Sequence, residues 1–434
     1  MSTLQYAPVV TSFLIADQQI LLLKRSMKVG THRGQWAAVS GYLEGNELPL
    51  KRALTEIQEE LGLGEEQVTF VRAGEVVRAY DNETETVWII HPFLFQAKTK
   101  AIQLNWENTE WAWVTPIDLS SYHTVPKLRE AFDRVRQDLQ VVPDSLTTTI
   151  TAVDEFAQDR VHGASFLGCR AIELLSATSL ASKAQDQDEL FSDLLSVAMR
   201  LRKTQTGMAN VWNLVGMFLH VVDDERIKTT SSAELREVAL NVAKRIVEAA
   251  EENAEDAARN SARLIPEGGR ILTHSYSSIV FRSLDLAMKS GKHFEVYATE
   301  SYPGMEGRRL AQDLITLGVP VKLIADSAVD SIISNVDLVL VGADSVLRDG
   351  SLIHKIGTRT IATYAMESNI PLRSICEMMK FSVADFLGET PEINNSLFDL
   401  TPSELISDFT TEVGRVNATQ VKEELGRIVG EIYP

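Results

Sequence analysis

The sequence predicts a two-part chain: an N-terminal α+β sandwich, then a helical subdomain followed by an α/β doubly wound parallel sheet. Three observations predict this fold class. Short strand-like runs surround one marked helix in the opening third, helical periodicity fills residues 152–263, and apolar runs alternate with helix-length segments after Pro266. A chain of 434 residues also exceeds what one core usually supports. We therefore expect domains over 1–140, 150–264 and 265–434.

The first part mixes strand and helix signals. Helical spacing of apolar residues predicts a helix over Pro49–Leu61 that stops at Gly62, and a second helix over 126–139. Strand-forming residues bounded by turn residues predict strands over 9–16, 19–24, 68–77, 86–96 and 111–114. Short mixed strands with a helix at a loop exit indicate an α+β sandwich.

The second part begins where VVPDSLTTTIT, residues 141–151, breaks the helical pattern. Amphipathic helices follow, including a long acidic one over 232–263. Four apolar runs, at 270–273, 294–298, 321–324 and 337–341, then predict buried parallel strands.

Composition limits the partners. The 42 basic and 60 acidic side chains give a net charge of −18, which argues against a surface that grips nucleic acid. No run reaches the length of about 18 apolar residues that a membrane helix needs. Two distant cysteines, Cys169 and Cys376, without a CxxC pair favour a reducing compartment. We expect a cytoplasmic protein with no nucleic-acid or membrane partner.

A glutamate-rich helix carries the clearest chemical signal. Residues 41–63 read GYLEGNELPLKRALTEIQEELGL, a glycine-rich loop that runs into the helix. Glu56, Glu59 and Glu60 stand at i, i+3 and i+4, so their carboxylates share one face and repel one another. A hard divalent cation would relieve this repulsion, orient a diphosphate and activate a water molecule. The alternative interpretation is a solvated acidic face.

This segment resembles the Nudix box. The positions in register are Gly41, Glu47, Glu56, Ile57, Glu59, Glu60, Gly62 and Leu63. The resemblance implies a pyrophosphohydrolase that holds Mg (or Mn) with Glu56, Glu59 and Glu60, supported by Glu47, and in which Glu59 and Glu60 are catalytic. The family has an arginine where this chain has Thr55, and Lys51 or Arg52, one turn earlier, is the candidate replacement.

Polar segments follow the predicted strands of the second part. They read THSYSS, ESYPGMEGRR and GADSVLRDG, and HKIGT then leads into a helix. In open parallel sheets, ligands bind beyond the carboxyl ends of the strands, and helix N-termini there favour phosphate. Gly357 and Thr358, at a helix start, therefore suit a sugar phosphate.

Residues 150–430 resemble a second family. It contains the alpha, beta and delta subunits of eukaryotic translation initiation factor 2B, methylthioribose-1-phosphate isomerase and ribose-1,5-bisphosphate isomerase. The matching segments are 273–275, 300–303 with Gly307, 342–344, 355–358 and the tail from Phe398. The resemblance implies a Rossmann-like sheet and a homo-oligomer. It also implies a site that binds sugar phosphate or nucleotide through Arg202, Asn210, Gly163, Ser275, Lys355, Gly357 and Thr358.

The resemblance leaves the activity of the second part open. Asp344 matches the catalytic aspartate of the isomerases, but Ser275 stands where they have a cysteine. A thiol titrates near about pH 8.5, whereas a serine hydroxyl needs an activating base. His354 and His162 also replace an asparagine and an arginine of the isomerases. The alternative roles are a capping aspartate for Asp344 and a surface salt bridge for Arg202.

Three functions follow from these patterns. The first is hydrolysis of a small nucleoside diphosphate derivative such as ADP-ribose, with a second part that binds a sugar phosphate or nucleotide. The second is a bifunctional enzyme that also isomerises a ribose phosphate. The third is a regulatory subunit, similar to a translation factor, that binds a partner protein.

Overall fold

The computed structural model describes residues 5–44, 47–81, 86–136, 144–389, 391 and 393–432. The chain divides into two compact units. The first comprises Met1–Gln140, Phe386–Thr390 and Val429–Pro434, and the second comprises Val141–Asp385 and Pro391–Ile428. None of the helices in the described ranges has the length and hydropathy of a membrane span.

The first unit is built on an eight-stranded mixed sheet. Its strands are β1 (Gln5–Ala16), β2 (Gln19–Arg25), β3 (Trp36–Ala37), β4 (Val39–Tyr42), β5 (Val68–Ala73), β6 (Val77–Asp81), β7 (Thr86–Ala97) and β8 (Asn108–Val114). Two helices accompany them, α1 (Pro49–Leu61) and α2 (Leu128–Arg136). The main order is β3-β2-β1-β7-β5, with β4 paired to β1, β6 to β7 and β8 to β2.

The side chains of the strands alternate between two faces of the sheet, so the first unit has two hydrophobic cores. Val10 and Leu14 of β1 pack with Ile57 of α1 in one core, whereas Phe13 packs in the other core with Phe132 of α2. Successive strand residues point to opposite faces, so one strand supplies both cores. The Phe13 and Phe132 rings lie 5.2 Å apart and anchor the second core.

Two expectations for the first unit need correction. The single strand expected over 68–77 is two strands, β5 and β6, separated at Gly74, whose N–H donates to the carbonyl of Pro92. The helix expected over 126–139 begins at Leu128, after Lys127 in a left-handed conformation with φ of 61°. Residues 137–139 of that prediction lie outside the described residues.

The second unit begins with five helices, α3 (Thr147–Gln158), α4 (Ala164–Ala181), α5 (Gln187–Thr204), α6 (Ala209–Arg226) and α7 (Ser232–Leu264). They share one hydrophobic core, to which Leu175, Leu194, Phe218 and Ala239 contribute. The break expected over 141–151 is shorter than predicted, because α3 starts at Thr147. Residues 141–143 lie outside the described residues.

A seven-stranded sheet follows, in the order β11-β10-β9-β12-β15-β17-β18. The strands of the second unit are β9 (Gly269–Thr273), β10 (Phe294–Thr299), β11 (Val321–Ile324), β12 (Leu338–Val341), β13 (Ser345–Val346), β14 (Leu352–Lys355), β15 (Leu372–Ile375), β16 (Phe398–Thr401), β17 (Asp408–Thr411) and β18 (Gly414–Val416). The helices that follow α7 in the chain are α8 (Ser278–Lys289), α9 (Glu306–Thr316), α10 (Val329–Ile332), α11 (Thr358–Glu367), α12 (Val383–Phe386) and α13 (Val421–Ile432).

The strand order changes direction beside β9. The chain runs outward from β9 to β10 and β11, and then returns to place β12 on the other side of β9. All neighbours from β11 to β17 are parallel. The four runs expected from the sequence are strands, and β15 and β17 extend the sheet beyond them. The crevice between the ends of β9 and β12 is thus a topological switch point, where α/β proteins bind ligands.

Substitution of Gly307 tests the packing of α9 against β10 in the second unit. A Cβ atom at this position in α9 would overlap the backbone carbonyl of Thr299 at the end of β10. We expect Gly307→Ala to lower the free energy of unfolding by at least about 2 kcal/mol, measured by chemical denaturation. Gly430→Ala is the control, because no described atom lies within 4 Å of its Cβ position and helical glycine is unfavourable. Equal stability of the two variants would contradict this packing.

Candidate active sites

Helix α1 presents the predicted metal ligands unequally to solvent. Pro49 occupies its first turn and Gly62 ends it in a left-handed conformation with φ of 68°. Glu56 and Glu60 are buried with the core-facing side of the helix, whereas Glu59 is exposed. Glu47 lies just before the helix and is half-buried, with its N–H donating to the carbonyl of Glu44 at 3.2 Å.

Glu60 is held by donors from two neighbouring strands. Its carboxylate accepts a hydrogen bond from the N–H of Ser40 at 2.9 Å and another from the side-chain amide of Asn108 at 2.6 Å. Burial raises the pKa of Glu60 to about 8, although these two hydrogen bonds oppose the shift. The carboxylate of Glu56 raises it further. Glu60 is therefore positioned, but its ionised form is disfavoured unless positive charge is nearby.

Glu56 has a cationic partner on its own helix. The guanidinium group of Arg52 donates to the carboxylate of Glu56. Burial raises the pKa of Glu56, Arg52 opposes the rise, and the charges of Glu59 and Glu107 add to it. Arg52 thus contacts a carboxylate of the cluster, while Thr55 donates to the carbonyl of Lys51 at 3.0 Å. The sequence analysis missed Glu107, because no local pattern connects this loop residue to the helix.

The glycine that opens the motif makes this arrangement possible. A Cβ atom on Gly41, in β4, would overlap the carboxylate of Glu56. A side chain at this position would therefore displace the carboxylate of Glu56. Gly41 brings the strand backbone against the acidic face of α1.

The donor set suits a hard divalent cation. Glu56, Glu59, Glu60 and Glu107 provide carboxylate oxygens that interact electrostatically, and such oxygens are the ligands that magnesium prefers. No three His, Cys, Asp or Glu side chains in the described ranges already converge on one point as a metal site would require. A cation at this face would compete with Arg52 for the carboxylate of Glu56.

A cleft of about 670 Å³ opens in the second unit at the topological switch point. Four predicted site residues line it: Gly163, Ser275, Asp344 and Lys355. Ser275 follows β9 and Asp344 follows β12, the two neighbouring strands at which the order changes direction. The fold therefore brings together residues that are far apart in the sequence.

Asp344 lies in this cleft, where both positive and negative side chains affect its carboxyl group. Burial raises its pKa to about 6, and the ammonium groups of Lys380 and Lys355 limit the rise. Lys355 pairs with Glu306 at 2.6 Å, and Lys380 pairs with Glu377 at 3.3 Å. Lys380 is buried and lines the cleft. The sequence analysis missed it, because the strand that precedes it, β15, was not recognised.

The base next to Ser275 in the sequence, His274, is engaged with other groups. The N–H of Ser275 donates to the hydroxyl of Ser301 at 2.7 Å, and the φ of 66° at Ser275 turns the chain sharply out of β9. Both ring nitrogens of His274 are engaged, one with Thr299 at 2.6 Å and the other with the carbonyl of Ile356 at 2.8 Å. Burial lowers the pKa of His274. His274 is thus a structural link and does not activate Ser275.

The helix N-terminus expected to bind phosphate already holds a carboxylate. Asp399 accepts hydrogen bonds from the N–H of Gly357 at 2.8 Å and from that of Arg359 at 3.2 Å. The hydroxyl of Thr358 donates to the carbonyl of Lys355. Gly357 and Thr358 lie outside the lining of the cleft. This differs from the expectation because Asp399, which is distant in sequence, occupies the amides.

Arg202 and Asn210 also lie outside the lining of the cleft. The guanidinium group of Arg202 is buried, stacks on the ring of Trp212 at 3.7 Å and donates to the Trp212 carbonyl. It is therefore not a surface salt bridge. The side-chain amide of Asn210 donates to the carbonyl of Ala164 at 3.3 Å. Both residues support the helices that carry Gly163 to the cleft.

Comparison with known proteins agrees with this division. A NUDIX domain matches residues 5–135, and such a domain implies hydrolase activity, so the first unit is of the hydrolase class. The chain belongs to the Initiation factor 2 subunit family, whose family model matches residues 160–418.

The relatives of the chain carry two kinds of name. A translation initiation factor eIF-2B subunit 2-like protein of Pyrococcus furiosus is 32% identical over 276 residues, covering 61% of this chain and 95% of the relative. A ribose 1,5-bisphosphate isomerase of Haloferax volcanii is 28% identical over 305 residues, covering 65% and 92%. The crystal structure of translation initiation factor eIF-2B from Pyrococcus horikoshii OT3 is similar, with 26% identity, a TM-score of 0.54 and coverage of 63% and 98%.

Glu60 makes the metal-free protein sensitive to pH. Its pKa in the folded state, about 8, lies above the ordinary value of 4.5, so the folded chain keeps a proton that the unfolded chain releases. Stability should therefore fall as pH rises from 5 to 8, by on the order of 3 kcal/mol from this group. We expect thermal unfolding with a chelator to show this slope, and Glu60→Gln to reduce it. An unchanged slope in the variant would refute the assignment.

Proposed function

We propose that the first unit hydrolyses the diphosphate linkage of a nucleoside diphosphate derivative, with Mg²⁺ or Mn²⁺ held by Glu56, Glu59, Glu60 and Glu47. The observation that carries the proposal is the pair of buried carboxylates, Glu56 and Glu60, whose pKa values are both raised by burial on one face of α1. When bound, the cation supplies positive charge for the diphosphate and lowers the pKa of an attacking water. ADP-ribose is the substrate that we test first.

The protein side chains have separate roles in the proposed hydrolysis. Ser40 and Asn108 fix the carboxylate of Glu60, so its direction is set before a ligand arrives. Glu59 is exposed, so its carboxylate is accessible both to the cation and to water at the surface of the helix. Arg52 offsets the charge of Glu56 while the site is empty of substrate. Glu47, just before the helix, is the fourth carboxylate of the proposed cation site.

The second unit, in this proposal, binds a sugar phosphate or a nucleotide in the cleft. Lys355 and Lys380 present ammonium groups there, and the cleft lies at the switch point of the sheet. The isomerase names among the relatives support a phosphorylated sugar as the ligand. We further propose a homo-oligomer, and a cytoplasmic location that is consistent with two free cysteines.

Isomerisation of a ribose phosphate is the second candidate for this cleft. Asp344 favours it, because a buried carboxyl with a pKa of about 6 can exchange a proton near neutral pH. Ser275 argues against it, since both ring nitrogens of the adjacent His274 are engaged with Thr299 and Ile356. A regulatory subunit that binds a partner protein requires neither group. We therefore favour ligand binding over catalysis as the function of the second unit.

A substrate panel tests the hydrolase. We expect the full chain with Mg²⁺ to cleave at least one nucleoside diphosphate derivative, and Glu59→Gln to lower kcat by about 100-fold or more, because it removes an acceptor for the proton of water. Glu65→Gln, an exposed glutamate just after α1, is the matched control. No turnover of any substrate, or equal rates in the two variants, would refute the proposed hydrolysis.

Binding of ribose 1,5-bisphosphate tests the proposal that the cleft holds a sugar phosphate. We expect the full chain to bind it in calorimetry, and Lys355→Met to weaken binding by about 10-fold, because a charge-assisted contact is lost. Lys422→Met, at an exposed position of α13, is the control. NMR of the sugar should show no new product. A ketose signal that disappears in Asp344→Asn would establish the isomerase instead, and a failure to bind would exclude both.

A further inference from the structure

His354 is a buried polar residue in the wall of the cleft of the second unit. It is the third residue of β14, and it lines the cleft together with Asp344. Ser345 pairs with Ile353 across the antiparallel strands β13 and β14, so Asp344 and His354 lie opposite each other one step further along. Residues that lie opposite each other in an antiparallel pair share a face. The ring of His354 is therefore a neighbour of the Asp344 carboxyl group.

Hydrogen bonds fix which nitrogen of the His354 ring carries a proton. Nδ1 lies 3.0 Å from the hydroxyl oxygen of Thr358. That hydroxyl donates its only hydrogen to the carbonyl of Lys355 at 2.6 Å, so towards His354 it can only accept. Nδ1 must therefore carry the proton. In the neutral ring, Nε2 then has a lone pair and no hydrogen.

The surroundings of His354 keep the ring neutral. Burial lowers the pKa of His354 well below its ordinary value of 6.5. The charges of His274, Lys380 and Lys355 act in the same direction. A ring with hydrogens on both nitrogens is thereby disfavoured at neutral pH, so Nε2 serves as a hydrogen-bond acceptor.

The Nε2 atom of His354 is open on the side of the cleft. Thr358, which holds the other ring nitrogen, lies outside the lining, so the ring reaches the cleft with its Nε2 edge. In the described part of the chain, the bond with Thr358 is the only hydrogen bond of the ring. Gly342 has no side chain that could cover the nitrogen, and a Cβ atom there would stand 3.2 Å from it. The lone pair is thus available to a ligand.

An acceptor beside two ammonium groups gives the cleft two kinds of contact. Lys355 and Lys380 donate hydrogen bonds, which suits the oxygens of a phosphate group. Nε2 of His354 can only accept, so it suits a hydroxyl group and disfavours a phosphate oxygen that has no hydrogen. The asparagine of the isomerases that the second unit resembles could do either, because its amide both donates and accepts. Histidine makes this position stricter.

We infer that His354 is a specificity-determining residue of the cleft, which accepts a hydrogen bond from a hydroxyl group of the ligand and excludes phosphate from that place. The inference rests on the proposed binding of a phosphorylated ligand by the second unit. The ligand class is a phosphorylated sugar whose phosphate groups contact the lysines and whose hydroxyl group contacts Nε2. A phosphate ester without a hydroxyl group leaves this nitrogen unpaired.

Calorimetry with two ligands tests this role on the full chain at pH 8, where a phosphate ester, with a second pKa of about 6, has no hydrogen to donate. His354→Asn keeps an N–H for Thr358 and removes the acceptor at the position of Nε2. It should weaken binding of ribose 1,5-bisphosphate by roughly 3- to 10-fold, the effect of one neutral hydrogen bond, and leave binding of methyl phosphate unchanged. His293→Asn is the matched control, since the His293 side chain is 89% exposed.

Nitrogen NMR of the wild type is a second measurement, which does not depend on the folding of a variant. The free protein should carry the proton of His354 on Nδ1, and ribose 1,5-bisphosphate, but not methyl phosphate, should shift the Nε2 signal. A proton on Nε2 in the free protein would refute the inference. Equal affinities of the wild type and His354→Asn for the sugar, or an equal loss for both ligands, would also refute it, while ligand binding stands. If the wild type binds neither ligand, the proposed function of the second unit itself is refuted.

Discussion

The burial of carboxylates on α1 is the constraint on which the first unit depends. The helix must turn Ile57 and Leu61 into the core to stay on the sheet, and the same side carries Glu56 and Glu60. A buried carboxylate needs hydrogen bonds or an opposite charge. Ser40, Asn108 and Arg52 provide them, so β4, β8 and the first turns of α1 are all arranged around one helical face.

The second unit meets the same constraint with paired charges. Lys355 is paired with Glu306 and Lys380 with Glu377, and Asp344 lies within the field of both lysines. An ion pair offsets the cost of removing its two charges from water, although the buried pair contributes little net stability. A phosphorylated ligand entering this cleft must compete with carboxylates for the ammonium groups. Its affinity therefore depends on how well it replaces those partners, which selects for ligands with more than one anionic group.

Local signals explain what the sequence could predict. Helical spacing and the stop at Gly62 predicted α1 over Pro49–Leu61, and the i, i+3, i+4 spacing placed three glutamates on one side of it. The partners of those glutamates, Ser40 and Asn108, come from distant strands and have no local signature. The same reason explains Asp399, whose contact with the start of α11 depends on the pairing of β14 with β16. Strand β15 has Arg373 and Ser374 at its centre, so it forms no continuous apolar run, and neither it nor the lysine that follows was predicted.

The second unit differs from the isomerases that it resembles in the groups available for proton transfer. In the isomerases that the second unit resembles, a cysteine and an aspartate share the proton transfer, and here Ser275 replaces the cysteine. Its neighbour His274 uses both ring nitrogens to join β9 to β10 and to the start of α11, so it cannot take over the role without breaking those links. Burial raises the pKa of Asp344 at this crevice to about 6. In the proposed function, Asp344 and the two nearby lysines, which are paired with Glu306 and Glu377, serve to hold a phosphorylated ligand. The exposed Glu59 of the first unit has the access to water that hydrolysis requires.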